Sequence, residues 1–236
     1  MNEFIINLDT EIFLWINSFH SLFWDIVMKV VSGKLTWAVM YAVLMYAIFR
    51  TFGWKTMTVM TLMAIAAVAI ADQVTASLLR PVFERLRPAN LENPISHLVH
   101  IVGNYRGGRY GFPSCHAANT FAVASLMSLL FWRRRFTIFI ILWAILSCYS
   151  RIYLGVHYPG DLLAGIVIGS LSGAFTYFIG ALIVKAWKGN LLPRKRALII
   201  TTTLDGHKLK YHPVDEVVFS GILTMLFILI FASAVI

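Results

Sequence analysis

The chain predicts an all-α, polytopic transmembrane helix bundle of about six spans, and three observations carry that prediction. Of the 236 residues, 59% are hydrophobic and only 13% are charged, against roughly a quarter charged in an average soluble domain. Several apolar runs approach the ~20 residues that cross a bilayer as a helix. The 20 Lys and Arg gather mainly between those runs.

The first element, residues 8–34, is apolar but interrupted. Asn17, Ser21, Asp25 and Lys29 recur every four residues and would form a polar stripe along a helix. That pattern fits an amphipathic segment lying in the membrane interface, with a span as the alternative. The start of the chain has no positively charged n-region, so no secretory signal is expected.

The spans fall at about 35–51, 54–79, 115–132, 136–154, 158–186 and 215–235. They divide the chain into an interfacial segment (1–34), a transmembrane core (35–186), a basic connector (187–213) and a C-terminal helix (214–236). Within the connector, an apolar-to-polar run on each side of Asp205-Gly206 reads as a β-hairpin. Twelve of the 20 basic residues fall on one side, led by Arg133, Arg134, Arg135 and the 185–210 stretch, and eight on the other. The positive-inside rule makes the first side cytoplasmic and puts the 80–114 loop and the 150–161 stretch on the outer face. The formal charge of +9 then belongs to loops facing anionic lipid headgroups, and nucleic acid is not an expected partner. The two cysteines, Cys115 and Cys148, give neither a disulfide framework nor a metal spacing.

Three clusters carry chemistry on the outer face. Arg80 and Arg87 close the second span; they read as interfacial anchors or as the fork-shaped, always-charged donors that a phosphate needs. Ser114, Cys115 and His116 open the third span, where a helix N-terminus with its cap makes an anion site and His116 can donate a proton. Ser150 to Asp161 brings Arg151, His157 and Asp161 together. Read alone, this last stretch is equally a helix start, with Pro159 at its first position and Asp161 in its first turn. Read with the other two, it is a phosphoryl-transfer site. His157 is the nucleophile, Asp161 orients it, His116 protonates the leaving oxygen, and water hydrolyses the phosphohistidine. The arginines supply the positive charge, so neither metal nor cofactor is expected. Asp72, in the second span, is a bundle-interior acceptor or orients a polar group near this site.

The residues resemble the type-2 phosphatidate phosphatase superfamily of lipid phosphatases. Its pattern of Lys-x6-Arg-Pro, Pro-Ser-Gly-His and Ser-Arg-x5-His-x3-Asp reads here as Arg80-x6-Arg87-Pro88, Pro113-Ser114-Cys115-His116 and Ser150-Arg151-x5-His157-x3-Asp161. The resemblance covers about residues 54–180. It implies phosphate binding by Arg80, Arg87, Ser114, Cys115 and Arg151, with catalysis by His116, His157 and Asp161. It also implies a six-helix core with the site at the outer membrane surface. The chain departs at two positions: Arg80 stands for Lys, and Cys115 for Gly, where any requirement for positive φ would strain the backbone. A cysteine-phosphatase reading fails, because the Arg needed six positions on is Phe121 after Cys115 and Leu154 after Cys148.

The expected function is an integral-membrane, metal-independent lipid phosphatase of the bacterial inner membrane. Undecaprenyl pyrophosphate ranks first as substrate, with lipid A, phosphatidylglycerophosphate or phosphatidate as alternatives. Arg85, Arg106 and Arg109 fit a substrate with more than one anionic group. A lipid phosphotransferase and a non-catalytic lipid-binding protein are the readings from other classes. No oligomeric state is predicted.

Overall fold

The computed structural model describes residues 3–33, 35–192, 199–202 and 208–236. Helices α1 (Glu3–Asn17) and α2 (Leu22–Val31) precede α3 (Ala38–Phe52) and α4 (Trp54–Asp72). Helix α4 runs on through a π-helical stretch, Gln73–Leu79, into the single turn α5 (Arg80–Phe83). Then follow α6 (Cys115–Phe131), α7 (Arg134–Tyr153), α8 (Pro159–Ala186) and α9 (Pro213–Val235). Between α8 and α9, β1 (Ile199–Thr202) pairs antiparallel with β2 (Lys208–Tyr211), Thr202 opposite Lys208. The Asp205-Gly206 turn expected there lies outside the described residues.

Among the described residues, four helical stretches are long and apolar enough to cross a membrane: Trp54–Phe83, Arg134–Tyr153, Pro159–Ala186 and Pro213–Val235. Two shorter apolar helices, α3 and α6, stand beside them. The protein is a polytopic helical membrane bundle, and its helices follow the six predicted runs.

Helix α6 is the central post. Ala117, Ala118, Ala122 and Ala124 are all buried on it, and their small side chains admit α8 closely. Gly165, Gly169 and Gly173, four residues apart on α8, face them. A Cβ at these glycines would lie 2.5, 2.1 and 2.2 Å from the carbonyl oxygens of Ser114, Ala118 and Ala122. Small residues at such spacing let helices pack through dispersion where water is absent and the hydrophobic effect drives nothing. On the opposite side of α8, Leu163, Val167, Leu171, Phe175, Phe178 and Leu182 are exposed, an apolar stripe suited to lipid.

One end of the bundle gathers the irregular chain. The 84–114 loop is pinned by an antiparallel bridge between Leu86 and Tyr110 and by Arg87 N–H on Arg109 C=O at 3.1 Å. Gly111 N–H donates to Arg85 C=O at 2.8 Å, and Ala89 N–H to Gly155 C=O at 3.0 Å. Gly155 turns the chain out of α7 with φ 76°; a Cβ there would meet Val99 Cγ1 at 2.7 Å and His100 C=O at 2.9 Å. Only glycine suits both demands.

Helices α1 and α2 close over this end. Buried Asn17 donates from Nδ2 to Tyr153 C=O at 2.9 Å and accepts from His100 N–H at 2.8 Å. Asp25 Oδ1 accepts from Tyr153 O–H at 2.7 Å and faces His100 Nε2 at 2.9 Å. Ser21 N–H also donates to Tyr153 Oη at 3.2 Å, so three of the four residues in the polar stripe bond inside the protein.

Candidate active site

Local structure places each member of the site. Pro159 starts α8 at its first position, with Tyr158 as the cap residue. Asp161, in the first turn, accepts the Tyr158 N–H on Oδ2 at 3.0 Å, as an N-terminal acid should. The same oxygen lies 3.2 Å from His157 Nδ1. Helix capping and histidine orientation are thus one arrangement, and the helix start does not compete with a His157–Asp161 pair. Ser114 caps α6, its Oγ accepting the Ala117 N–H at 3.4 Å. Its own N–H donates to Asp161 C=O at 3.0 Å, which locks the starts of α6 and α8 together.

Arg87 completes the cluster. Its Nη1 sits 2.8 Å from His157 Nε2 and 3.1 Å from Val156 C=O, and its Nε donates to Tyr110 C=O at 3.1 Å. A guanidinium has no acceptor and an ionised carboxylate no donor. The His157 proton therefore resides on Nδ1, towards Asp161, and Nε2 presents its lone pair to Arg87. His157 is 2% exposed and Asp161 0%. Gly111 lines the cluster, where a Cβ would come 3.0 Å from Asp161 Oδ2 and 3.1 Å from Arg87 Cγ.

Burial first, then the charges of Arg87, Arg151 and Arg80, hold the His157 imidazole well below the usual histidine range. Burial, Arg80 and Arg151 likewise bring Arg87 down to about 10, still a cation at neutral pH. A ring whose native value lies below 6.5 binds fewer protons folded than unfolded. Stability therefore drops as pH falls through the unfolded value, where only the unfolded chain takes the proton. Nitrogen NMR of histidine-labelled protein, assigned with His157→Gln, is expected to show His157 neutral and protonated on Nδ1 at pH values around 6.5. A half-protonated ring there would contradict the assignment.

Arg80 Nη2 donates to Pro113 C=O at 3.2 Å and lies 2.9 Å from Cys115 Sγ, which Thr75 Oγ1 also approaches at 3.1 Å. Thr75 and Arg80 belong to the π-helical stretch and the turn after it, a local widening of the kind that re-aims side chains at functional sites. Cys115 opens α6 with helical backbone: among the described residues, positive φ outside glycine occurs at Glu84, Asn104, Trp132 and Lys188. The substitution for Gly therefore carries no backbone strain. Arg151, 9% exposed, bonds through Nη1 to Ser32 Oγ at the end of α2 and stacks 5.8 Å from the Tyr105 ring. His116, on the first turn of α6, lines a cavity of about 340 Å³ together with Val31, Trp37, Tyr41, Val68 and Val123. One turn further along α6, Asn119 Nδ2 donates to Asp72 Oδ1 at 3.4 Å, so Asp72 serves a polar group on this cavity wall.

The structure brings His157, Asp161 and Arg87 into direct contact and sets Arg80 on Cys115. Sequence reasoning missed Ser32 and Gly111, whose partners lie far away along the chain. It read Arg85, Arg106 and Arg109 as fitting a substrate with more than one anionic group, without their partners inside the protein. Arg85 donates to Asp161 Oδ1 at 3.0 Å and forms an ion pair with Asp9 Oδ2 at 2.7 Å. Arg109 pairs with Glu92 at 2.7 Å, and Arg106 donates to Ala89 C=O at 2.7 Å.

A family model described as the PAP2 superfamily matches residues 61–184. The chain is similar to the lipid A 4'-phosphatase of Bacteroides thetaiotaomicron, 40% identical over 232 residues that cover 98% of each chain. It is also similar to the undecaprenyl-diphosphatase BcrC of Bacillus subtilis, at 28% identity over 64% of this chain and 75% of that one. The fold matches the crystal structure of a transmembrane PAP2-type phosphatidylglycerolphosphate phosphatase from Bacillus subtilis, with TM-score 0.56 and 20% identity, covering 77% of this chain and 89% of that one.

Proposed function

The chain belongs to the PAP2 superfamily, and from that membership we propose that it removes the 4'-phosphate of lipid A at the outer face of a bacterial inner membrane. It is an integral-membrane lipid phosphatase, a phosphoester hydrolase. The choice of substrate rests on the 40% identity to a lipid A 4'-phosphatase along 98% of both chains. The likeness to an undecaprenyl-diphosphatase is weaker and covers less of the chain. Lipid A therefore takes first place from undecaprenyl pyrophosphate.

The chemistry rests on one observation: His157 points Nδ1 at Asp161 and Nε2 at Arg87. In the proposed reaction the phosphate enters among Arg80, Arg87 and Arg151, with Ser114 and the Cys115 N–H at the start of α6. Arg87 Nη1 transfers its donor from Nε2 to a phosphate oxygen, which frees the lone pair. Nε2 attacks phosphorus, the P–O bond to the sugar breaks, and His116 protonates the departing oxygen. The phosphohistidine ring carries a positive charge, balanced by Asp161 through the retained Nδ1–H. Water, deprotonated by His116, then releases inorganic phosphate. The guanidinium groups stabilise the charge on the transferring phosphoryl group, so the proposed chemistry needs no metal. The cavity that His116 lines with Trp37, Val68 and Val123 offers apolar wall to part of a lipid.

The test is phosphate release by detergent-purified protein from lipid A, undecaprenyl pyrophosphate and phosphatidylglycerophosphate, with and without chelator, with mass spectrometry of the products. The expected result is loss of one phosphate from lipid A, unaffected by chelator, with kcat/KM at least about tenfold above the other two lipids. Faster turnover of undecaprenyl pyrophosphate would overturn the substrate assignment. Activity abolished by chelator would remove the metal-free mechanism. A new phospholipid formed in place of inorganic phosphate would make the protein a transferase.

A further inference from the structure

The catalytic histidine has a longer chain of partners than the three motifs contain. Asp161, 0% exposed, accepts His157 Nδ1–H and Tyr158 N–H on Oδ2, and Arg85 Nη1 on Oδ1 at 3.0 Å. Arg85 sits over the Tyr158 ring, its Cζ 3.9 Å from the ring centre. Its other terminal nitrogen, Nη2, reaches Asp9 Oδ2 at 2.7 Å. Asp9, on α1, uses its second oxygen to accept the Gly160 N–H at 2.8 Å, next to Asp161 on the first turn of α8. Arg85 and Asp9 are only 13% and 12% exposed, so water screens this arrangement weakly.

The charges show what the arrangement does. Asp161 and Arg85 alone form a neutral pair. Phosphorylation makes the His157 ring a cation amid Arg80, Arg87 and Arg151, and a neutral pair is a poor counter-ion for it. Asp9 cancels the Arg85 charge, which leaves the Asp9–Arg85–Asp161 group with one net negative charge facing His157. We propose that Asp9 and Arg85 are positioning residues of the catalytic histidine. Arg85 fixes Asp161, and Asp9 offsets Arg85 so that Asp161 remains a full counter-charge as the phosphohistidine forms. On this account α1 belongs to the catalytic unit. The inference rests on the reading of His157 as nucleophile.

The contact also depends on Gly160, where a Cβ would lie 2.8 Å from Asp9 Oδ2. Gly160→Ala therefore displaces Asp9 without removing any charge from the chain.

The test measures kcat and KM on lipid A for full-length, detergent-purified wild type, His157→Ala, Asp9→Asn, Asp9→Glu, Gly160→Ala and the double variant Asp9→Asn/Arg85→Gln. Thermal unfolding of each is recorded alongside. Asp9→Asn is expected to lower kcat about thirtyfold with KM within about twofold, while Asp9→Glu stays within about threefold of wild type. The distinguishing result is the double variant. Removing the positive charge along with the negative one restores the net charge on Asp161, so it turns over at least about fivefold faster than Asp9→Asn. A helix staple without electrostatic function predicts the reverse, with the second substitution adding to the damage. Wild-type kcat in Asp9→Asn, or a double variant no faster than Asp9→Asn, overturns the proposal. Should Asp9→Asn fail to fold, Gly160→Ala decides: a lowered kcat at unchanged KM supports the proposal, and wild-type kinetics overturn it. Activity surviving in His157→Ala would instead bring down the underlying mechanism, whereas a dead His157→Ala beside an unaffected Asp9→Asn removes only the positioning role.

Discussion

His157→Ala is expected to lose at least about 10⁴-fold in kcat, the scale on which removal of a nucleophile disables a catalytic group that acts as a unit. The fold should survive the change. Asp161 keeps its bonds from Tyr158 N–H and Arg85, and Arg87 keeps those to Val156 and Tyr110. Thermal unfolding close to that of wild type, together with lost phosphate release, is the expected pair of results. Residual turnover within about tenfold of wild type would show that another group attacks phosphorus.

Gly169→Ala is expected to be the most damaging single-methyl change in the bundle. Its Cβ would lie 2.1 Å from the Ala118 carbonyl oxygen and 2.8 Å from its carbonyl carbon, backbone atoms that cannot rotate away. Helices α6 and α8 must then separate, and with them the Ser114-to-Asp161 bond that joins the two helix starts. A destabilisation of about 3 kcal/mol or more is expected, at the upper end for overpacking a core. Gly108→Ala is the matched control: nothing lies within 4 Å of a Cβ there, and the change should stay within about 0.5 kcal/mol. Thermal unfolding in detergent, followed by tryptophan fluorescence, reads both. Equal melting temperatures would mean that α6 and α8 tolerate a wider spacing than the structure holds.

The spans were legible because a bilayer demands long apolar helices, and little else in a sequence produces them. The candidate site residues were legible for a different reason. Arg87, Ser114, His116, Arg151, His157 and Asp161 stand at the spacings of the three motifs that resemble the family's pattern. Asp161 is the clearest case, since the offset that caps α8 also aims its carboxylate at His157.

Partners distant in sequence were not legible. Asp9 meets Gly160 across 151 positions, and nothing near Asp9 distinguishes it from a solvated acid on an amphipathic helix. Asn17 and Asp25 formed half of a polar stripe that read as water-facing, yet they bond to α7 and the 84–114 loop. A polar stripe looks the same whether water or backbone carbonyls satisfy it. The partners of Arg85 and Arg109 were not legible either, because a sequence lists charges without their counter-charges. The close packing of Gly165, Gly169 and Gly173 on α6 was not legible, because their partners lie about 50 positions away on another helix.

In the proposed reaction phosphate passes through His157. Rapid-quench trapping with radiolabelled lipid A, followed by peptide mapping, detects that intermediate. The expected result is an acid-labile, alkali-stable label on the peptide containing His157, appearing before inorganic phosphate and absent from His157→Ala. Phosphate released at the wild-type rate with no labelled histidine, or a label carried by Cys115, would contradict it.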